Sequence, residues 1–294
     1  QEICATSWDI PFSEVISGNA SIDSFVAQLS PEELDQLTHG QGKMNSCYGV
    51  SGNAGAFGGV TESLGKRGIP PMITADGPSG IRIRRTVSLL PCGTALASSF
   101  NQEGVELLYG LVSREMDHFG IHMLLAPGMN IHRNPLCGRN FEYYSEDPVV
   151  SGKMAAAVTR GVQSVGGVGV SQKHFCCNNQ EDNRMEVSAN VSQRALREIY
   201  LRAFRIAVTE GKPWTVMSSY NRVNGKHVCN TYDLLTRVLR QEWGFEGLVM
   251  SDWNATEQCS YAEAINAGND LIMPGTAAIS KKLEEELKTG RLNR

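Results

Sequence analysis

From residue 71 onward the chain repeats one pattern: a short apolar run that ends in polar residues, then a longer amphipathic stretch. The runs occupy 72–76, 123–127, 168–174, 215–220, 248–253 and 271–274, with 94–99 as a further candidate. Near-continuous apolar runs suit parallel strands buried on both faces. Between them, helical stretches cover 102–119, 149–165, 193–210, 232–243 and 257–267. Strand–helix alternation implies a parallel sheet, either open and doubly wound or closed into a barrel. No Gly-x-Gly-x-x-Gly follows a run, and the residues able to do chemistry sit at the ends of many different runs. A barrel brings all those C-terminal ends to one mouth, whereas an open sheet offers a single crevice. The pattern therefore predicts an α/β fold, a (β/α)8 TIM-type barrel with room for irregularity, over residues 71–294.

Residues 1–70 are expected as an N-terminal segment packed on that barrel. Within it, Ser30-Pro31-Glu32-Glu33 signals a helix start: Ser30 caps, Pro31 takes the first helical position and Glu33 closes a capping box. Residues 41–68 are rich in glycine and predict a long irregular loop. No strand leads into it and no Gly-Lys-Ser/Thr follows, so it is not a phosphate loop.

Composition narrows the partners. A net charge of -4 argues against nucleic acid, whose electrostatic footprint is a basic patch. No apolar run reaches the roughly 18 residues that suggest a membrane span. Residues 1–10 lack the basic and apolar regions of a signal peptide, so none is expected there. The eight cysteines (Cys4, Cys47, Cys92, Cys137, Cys176, Cys177, Cys229 and Cys259) include no Cys-x-x-Cys pair, and no metal or organic cofactor is expected. Their even count allows disulfides, but a domain of this size does not need them and several suit free thiols packed as small hydrophobes, which favours a reducing, cytoplasmic setting. The sequons at Asn19, Asn190 and Asn254 are short enough to arise by chance.

Asp252 ends the apolar run Gly247-Leu248-Val249-Met250-Ser251, where a carboxylate would point into a barrel mouth. The same position, before Asn254-Ala255-Thr256-Glu257, equally suits a helix N-cap. Trp253 beside it is either core or an apolar wall for a pyranose face. Asp76, before Gly77-Pro78-Ser79-Gly80, is either a turn former or a carboxylate that takes two adjacent sugar hydroxyls. Lys173-His174 ends a third run, and a charged lysine there needs a carboxylate or ligand partner. Arg139 and Glu142 can simply pair with each other, and Arg184 is by default a solvated loop charge. Gathered in one pocket, however, carboxylates, cations, amides and aromatics are the hardware of glycoside hydrolysis.

At these residues the sequence resembles the barrel domain of the family 3 glycoside hydrolases. The matching segments are Thr74-Ala75-Asp76-Gly77-Pro78, Leu125-Ala126-Pro127-Gly128-Met129-Asn130-Ile131, Gly138-Arg139-Asn140-Phe141-Glu142-Tyr143-Tyr144-Ser145-Glu146-Asp147-Pro148, Lys173-His174-Phe175, Met217-Ser218-Ser219-Tyr220-Asn221 and Ser251-Asp252-Trp253. They follow the family order across nearly the whole chain. The resemblance implies a retaining β-glycosidase, foremost a β-glucosidase acting on a β-glucoside or oligosaccharide, with Asp252 as nucleophile. It further implies that Asp76, Arg139, Lys173, His174 and Arg184 bind hydroxyls of the sugar being cleaved. Tyr220 would lie near the nucleophile, Met217 and Trp253 would shape the apolar wall, and Arg82 would support Asp76.

The sequence also departs from branches of that family. The β-N-acetylhexosaminidase branch resembles Lys-His-Phe-Pro-Gly-His-Gly, with an acid/base Asp–His pair on that loop. Here Lys173-His174-Phe175 runs into Cys176-Cys177-Asn178-Asn179, which disfavours that branch. The glucosidase branch draws its acid/base Glu from a second, α/β sandwich domain. The residues to Arg294 end just after the last barrel helix, so that Glu is expected from a partner domain or chain: ahead of the barrel in a permuted parent, on a separate polypeptide, or trimmed away. Two rival expectations remain open: a self-sufficient glycosidase using Glu181 or Asp182 as acid, and a non-catalytic sugar-binding subunit.

Overall fold

The computed structural model describes residues 9–42 and 44–292. Cys4 and most of the segment expected to lack a signal peptide lie outside the described residues. Six strands form one sheet in the order β1 (Gly55–Gly58), β2 (Pro71–Asp76), β3 (Met123–Leu125), β4 (Gly169–Phe175), β5 (Thr215–Ser218) and β6 (Leu248–Ser251). From β2 to β6 every pairing is parallel, while β1 runs antiparallel to β2. Single bridges carry the ring round: Met250 pairs with Leu271, Ile272 with His39, and Gln41 with Ala56 of β1. The segments 271–273 and 39–42 thus close the sheet into a barrel.

Alternation along the strands sorts side chains into two cores. Met123, Leu125, Met217, Met250, Leu271 and Met273 point inward and pack with Ala54 and Phe57. Their neighbours Leu124, Val216 and Val249 face outward, into the apolar layer shared with the surrounding helices. All seven residues of β4 are buried, as expected of a strand covered on both faces. The outer layer is built chiefly by the helices Gln102–Phe119, Pro148–Val162 and Leu201–Gly211. The Pro148–Val162 helix presents alanines to its neighbours, which lets it lie close between the other two.

The capping box at Ser30 is formed as the sequence predicts, with Pro31 opening the helix Pro31–Leu37. Four expectations need correction. Residues 94–99 are not a strand but the helix Gly93–Ser98, whose buried Gly93, Leu96 and Ala97 follow helical spacing. The expected loop 41–68 contains β1 and the helix Glu62–Lys66. The barrel therefore begins before residue 70, and the expected division there cuts between β1 and its partner β2. Finally, the last expected helix starts at Tyr261 rather than at 257, because Ser260 supplies the cap.

Closure of the ring rests on a close backbone crossing. A Cβ on Gly275 would lie 1.5 Å from the carbonyl oxygen of Gly40, on the segment that joins 272–275 to β1. Gly275→Ala should therefore destabilise the fold by roughly 3 kcal/mol or more in urea titrations, because neither backbone can yield. Gly65→Ala is the control: nothing lies within 4 Å of its added Cβ. That helical site should gain up to about 1 kcal/mol.

Candidate active site

The C-terminal strand ends converge as a barrel requires. Asp76 closes β2, Lys173 and His174 lie near the end of β4, Tyr220 follows β5 and Asp252 follows β6. A cavity of about 390 Å³ lies between them. Asp76, Arg82, Arg139, Lys173, His174, Arg184, Met217, Tyr220, Asp252 and Trp253 all line it, so every site residue expected from the sequence is present. Met44, Ala54 and Leu125 complete the lining. A second cavity of about 680 Å³ opens outward from the first, sharing Asp76, Arg82, Arg139 and Arg184 and bordered by Phe141, Glu142, Leu89 and Glu181.

The charges are paired in a chain. Lys173 Nζ donates to Asp76 Oδ1 at 2.8 Å and lies 3.9 Å from Glu142 Oε2. Glu142 in turn accepts from Arg139 Nε. The exposed Arg82 reaches Asp76 Oδ2 at 3.3 Å from the rim. Arg184 pairs with Glu181 at 2.9 Å while its guanidinium stacks 4.4 Å from the Tyr220 ring.

His174 is held from three sides. Asn130 accepts from its backbone N–H and donates to its carbonyl, both at 2.9 Å. The Tyr143 hydroxyl lies 3.0 Å from Nδ1 and itself accepts from Asn178. Nδ1 also lies 3.3 Å from Asn130 Oδ1; with the nearer Tyr143 hydroxyl donating to Nδ1, the single proton of a neutral ring is assigned to Nε2, which faces Asp252 Oδ2 at 3.5 Å. Burial, reinforced by the positive charges of Arg139, Lys173 and Arg184, holds His174 well below its ordinary pKa and therefore neutral.

Asp252 is not the helix cap that its sequence context allowed. Its Oδ1 accepts from the Trp253 N–H at 2.7 Å, and the turns that follow run to Ser260. Its Oδ2 has no hydrogen-bond partner among the described residues. One oxygen is thus anchored, while the other is buried without a hydrogen bond and faces His174 Nε2 at 3.5 Å. Burial raises the Asp252 carboxyl above its usual range, against the opposing pull of Arg139, Lys173, the Trp253 N–H and the Tyr220 hydroxyl. Asp76 goes the other way: burial would raise it, but Lys173, Arg82 and Arg139 outweigh burial and hold it below its ordinary value. Carboxylates driven apart by their surroundings mark a division of labour.

Glu142, Tyr143 and Asn130, which grip the lining residues from behind, were not among the site residues expected from the sequence. All three lie in the segments that carry the resemblance, and a buried carboxylate or amide in an apolar stretch is the signal for such a part.

Two carboxylates set against four cations line a small cavity, an arrangement chemically able to hydrogen-bond a polyhydroxylated ligand. The N-terminal domain model of glycosyl hydrolase family 3 matches residues 55–294, and the chain belongs to that family. A β-glucosidase of Ruminococcus albus is 44% identical over 274 residues, 90% of this chain and 29% of that protein. Among solved structures, β-glucosidase 3B of Thermotoga neapolitana in complex with glucose superposes with a TM-score of 0.85 at 47% identity, covering 91% of this chain and 39% of that one. A β-glucosidase of Paenibacillus barengoltzii reaches a TM-score of 0.92 at 44% identity, over 100% of this chain and 33% of that one. The chain thus spans 29–39% of these relatives.

The opposed shifts predict opposite stability effects for two similar substitutions. A carboxyl whose folded pKa is raised costs stability as pH climbs through that value, so at pH 7 Asp252→Asn should raise the melting temperature by a few degrees. A carboxyl whose folded pKa is depressed supplies stability above its unfolded value of about 3.9. Asp76→Asn should accordingly lower the melting temperature at pH 7, with the loss fading as pH falls through the folded value. Scanning calorimetry of both variants between acid and neutral pH checks the pair. A lowered melting temperature for Asp252→Asn would mean that Arg139 and Lys173 depend on its charge.

Proposed function

We propose that this domain forms the glycone site of a retaining β-glycosidase, and that the full protein is a β-glucosidase. Asp252 carries the proposal: it is a buried carboxylate at a strand end that lines the cavity, with one oxygen anchored and the other without a hydrogen bond among the described residues. In the reaction, an Asp252 oxygen bonds to the anomeric carbon as the bond to the leaving oxygen breaks. The transition state is oxocarbenium-like and the product a covalent glycosyl-enzyme, which water then opens. Asp76, held ionised, accepts from sugar hydroxyls, while Lys173, Arg139, Arg184 and His174 Nε2 donate to others. Arg82 steadies Asp76, Tyr220 lies beside the nucleophile, and Met217 with Trp253 covers the apolar face of the ring. The glucose bound by the Thermotoga neapolitana relative supports glucose as the sugar.

The leaving oxygen needs a proton from a carboxylic acid held roughly 5–5.5 Å from the nucleophile, with its pKa raised. Asp76, the other carboxylate of the cavity, is depressed and tied to Lys173 and Arg82, so it is unsuited. Glu181 is paired with Arg184 and borders the outer cavity, and Asp182 is exposed. The acid/base Glu is therefore assigned to an α/β sandwich domain of the full protein, consistent with relatives of which this chain spans 29–39%.

Incubation with a 2-deoxy-2-fluoro dinitrophenyl glucoside should add one sugar to the peptide containing Asp252, and Asp252→Ala should abolish both label and turnover. A label on Glu142 or Glu181 would overturn the assignment. General acid catalysis contributes typically about 10²–10⁴-fold, mostly for leaving groups that cannot depart without a proton. The 294-residue chain alone should thus be nearly inert on cellobiose yet still open a dinitrophenyl glucoside. Cellobiose cleavage at ordinary rates would place the acid within these residues, with Glu181 the first to mutate.

A further inference from the structure

Two cysteines that the proposed reaction does not use meet beside the site. Cys229 lies in the short turn Val228–Asn230, and Cys259 in the turns that follow Asp252 and Trp253. Their Sγ atoms are 3.2 Å apart across 30 residues of chain. Both sulfurs pack against the Ala255 carbonyl. Cys229 is fully buried, whereas Cys259 is half-buried and open to small reagents. We infer that Cys229 and Cys259 form a dithiol site that a low-molecular-weight disulfide oxidises to an intrachain disulfide, clamping the loop that carries Asp252 and Trp253 onto the Val228–Asn230 turn.

The chemistry is ordinary exchange. The Cys259 thiolate attacks one sulfur of the small disulfide and releases one small thiol, leaving a mixed disulfide. Cys229 then gives up its proton and attacks the Cys259 sulfur, and the second small thiol leaves. Two protein thiols are oxidised and one small disulfide is reduced to two thiols. The order follows from access: contact with Cys259 and burial hold the Cys229 thiol well above its ordinary value, so the first attack falls to Cys259. The sulfurs need approach by only about 1.2 Å to reach a bond of about 2.05 Å.

The other described cysteines offer no comparable geometry across a loop. Cys47, Cys92 and Cys137 are single thiols, and Cys176 and Cys177 are sequence neighbours inside the core. In the reducing setting expected from the cysteine content, the Cys229–Cys259 pair stays as thiols. On exposure to an oxidant it becomes a staple on the wall of the sugar site.

The test is to incubate the full protein with oxidised glutathione, block free thiols and map peptides by mass spectrometry. A cross-linked pair containing Cys229 and Cys259, with two hydrogens lost, is expected. The oxidised protein should melt roughly 5 °C higher, and amide exchange at 254–259 should slow. Cys259→Ser should abolish all three effects while retaining the fold. Glutathione adducts on either cysteine without the cross-link would overturn the inference, as would a cross-link that leaves both melting and exchange unchanged. None of these readouts depends on the assigned reaction, so its failure and theirs are separable.

Discussion

A buried ammonium organises the barrel mouth. Lys173 stands inside the protein, where an unpaired charge would be prohibitive. The fold answers with Asp76 from one strand and Glu142 from the loop after another. Glu142 then ties Arg139, and Asp76 draws in Arg82. The charged groups of the cavity are thus placed by their need for one another. This arrangement also explains why the two carboxylates shift in opposite directions: Asp76 answers Lys173 directly, whereas Asp252 feels the cations less than it feels burial.

Groups fixed in advance in this way need no reorganisation when charge develops beside them. His174 shows how deep that fixing runs. Its backbone is gripped by Asn130, its ring by Tyr143, and Tyr143 by Asn178, so a chain of side chains ends at the one nitrogen that faces Asp252. Its neutrality follows from burial among cations, and a neutral ring donates one hydrogen bond without adding charge next to Asp252.

The strand-end residues were legible because chemistry at a barrel mouth sits where an apolar run stops. Asp76, Lys173, His174 and Asp252 obey that rule, and the lysine's demand for a carboxylate was readable before any partner was known. What escaped was whatever depends on distant backbone. β1 is Gly-Ala-Phe-Gly, with none of the β-branched residues that announce a strand, and it exists because β2 and the 39–42 segment flank it. The 94–99 run failed differently: its alanines and leucine favour a helix, and the apolar pattern was too short to distinguish the two periods. Glu142 was seen only as a partner for Arg139, because the 3.9 Å approach to Lys173 joins two segments that local pattern cannot relate.

The inward face of the barrel has a consequence of its own. Met123, Met217, Met250 and Met273 fill much of the space beneath the cavity, with Met72 packed against them. Thioether chains are long, unbranched and polarizable, so they adopt new rotamers at little energetic cost. The site therefore rests on a compliant floor while its charged walls are rigid. Substitutions at the apolar wall can be absorbed from below without displacing the strands, which gives the cavity latitude to change shape. A sulfoxide on any of these buried sulfurs would bring a polar group into that floor.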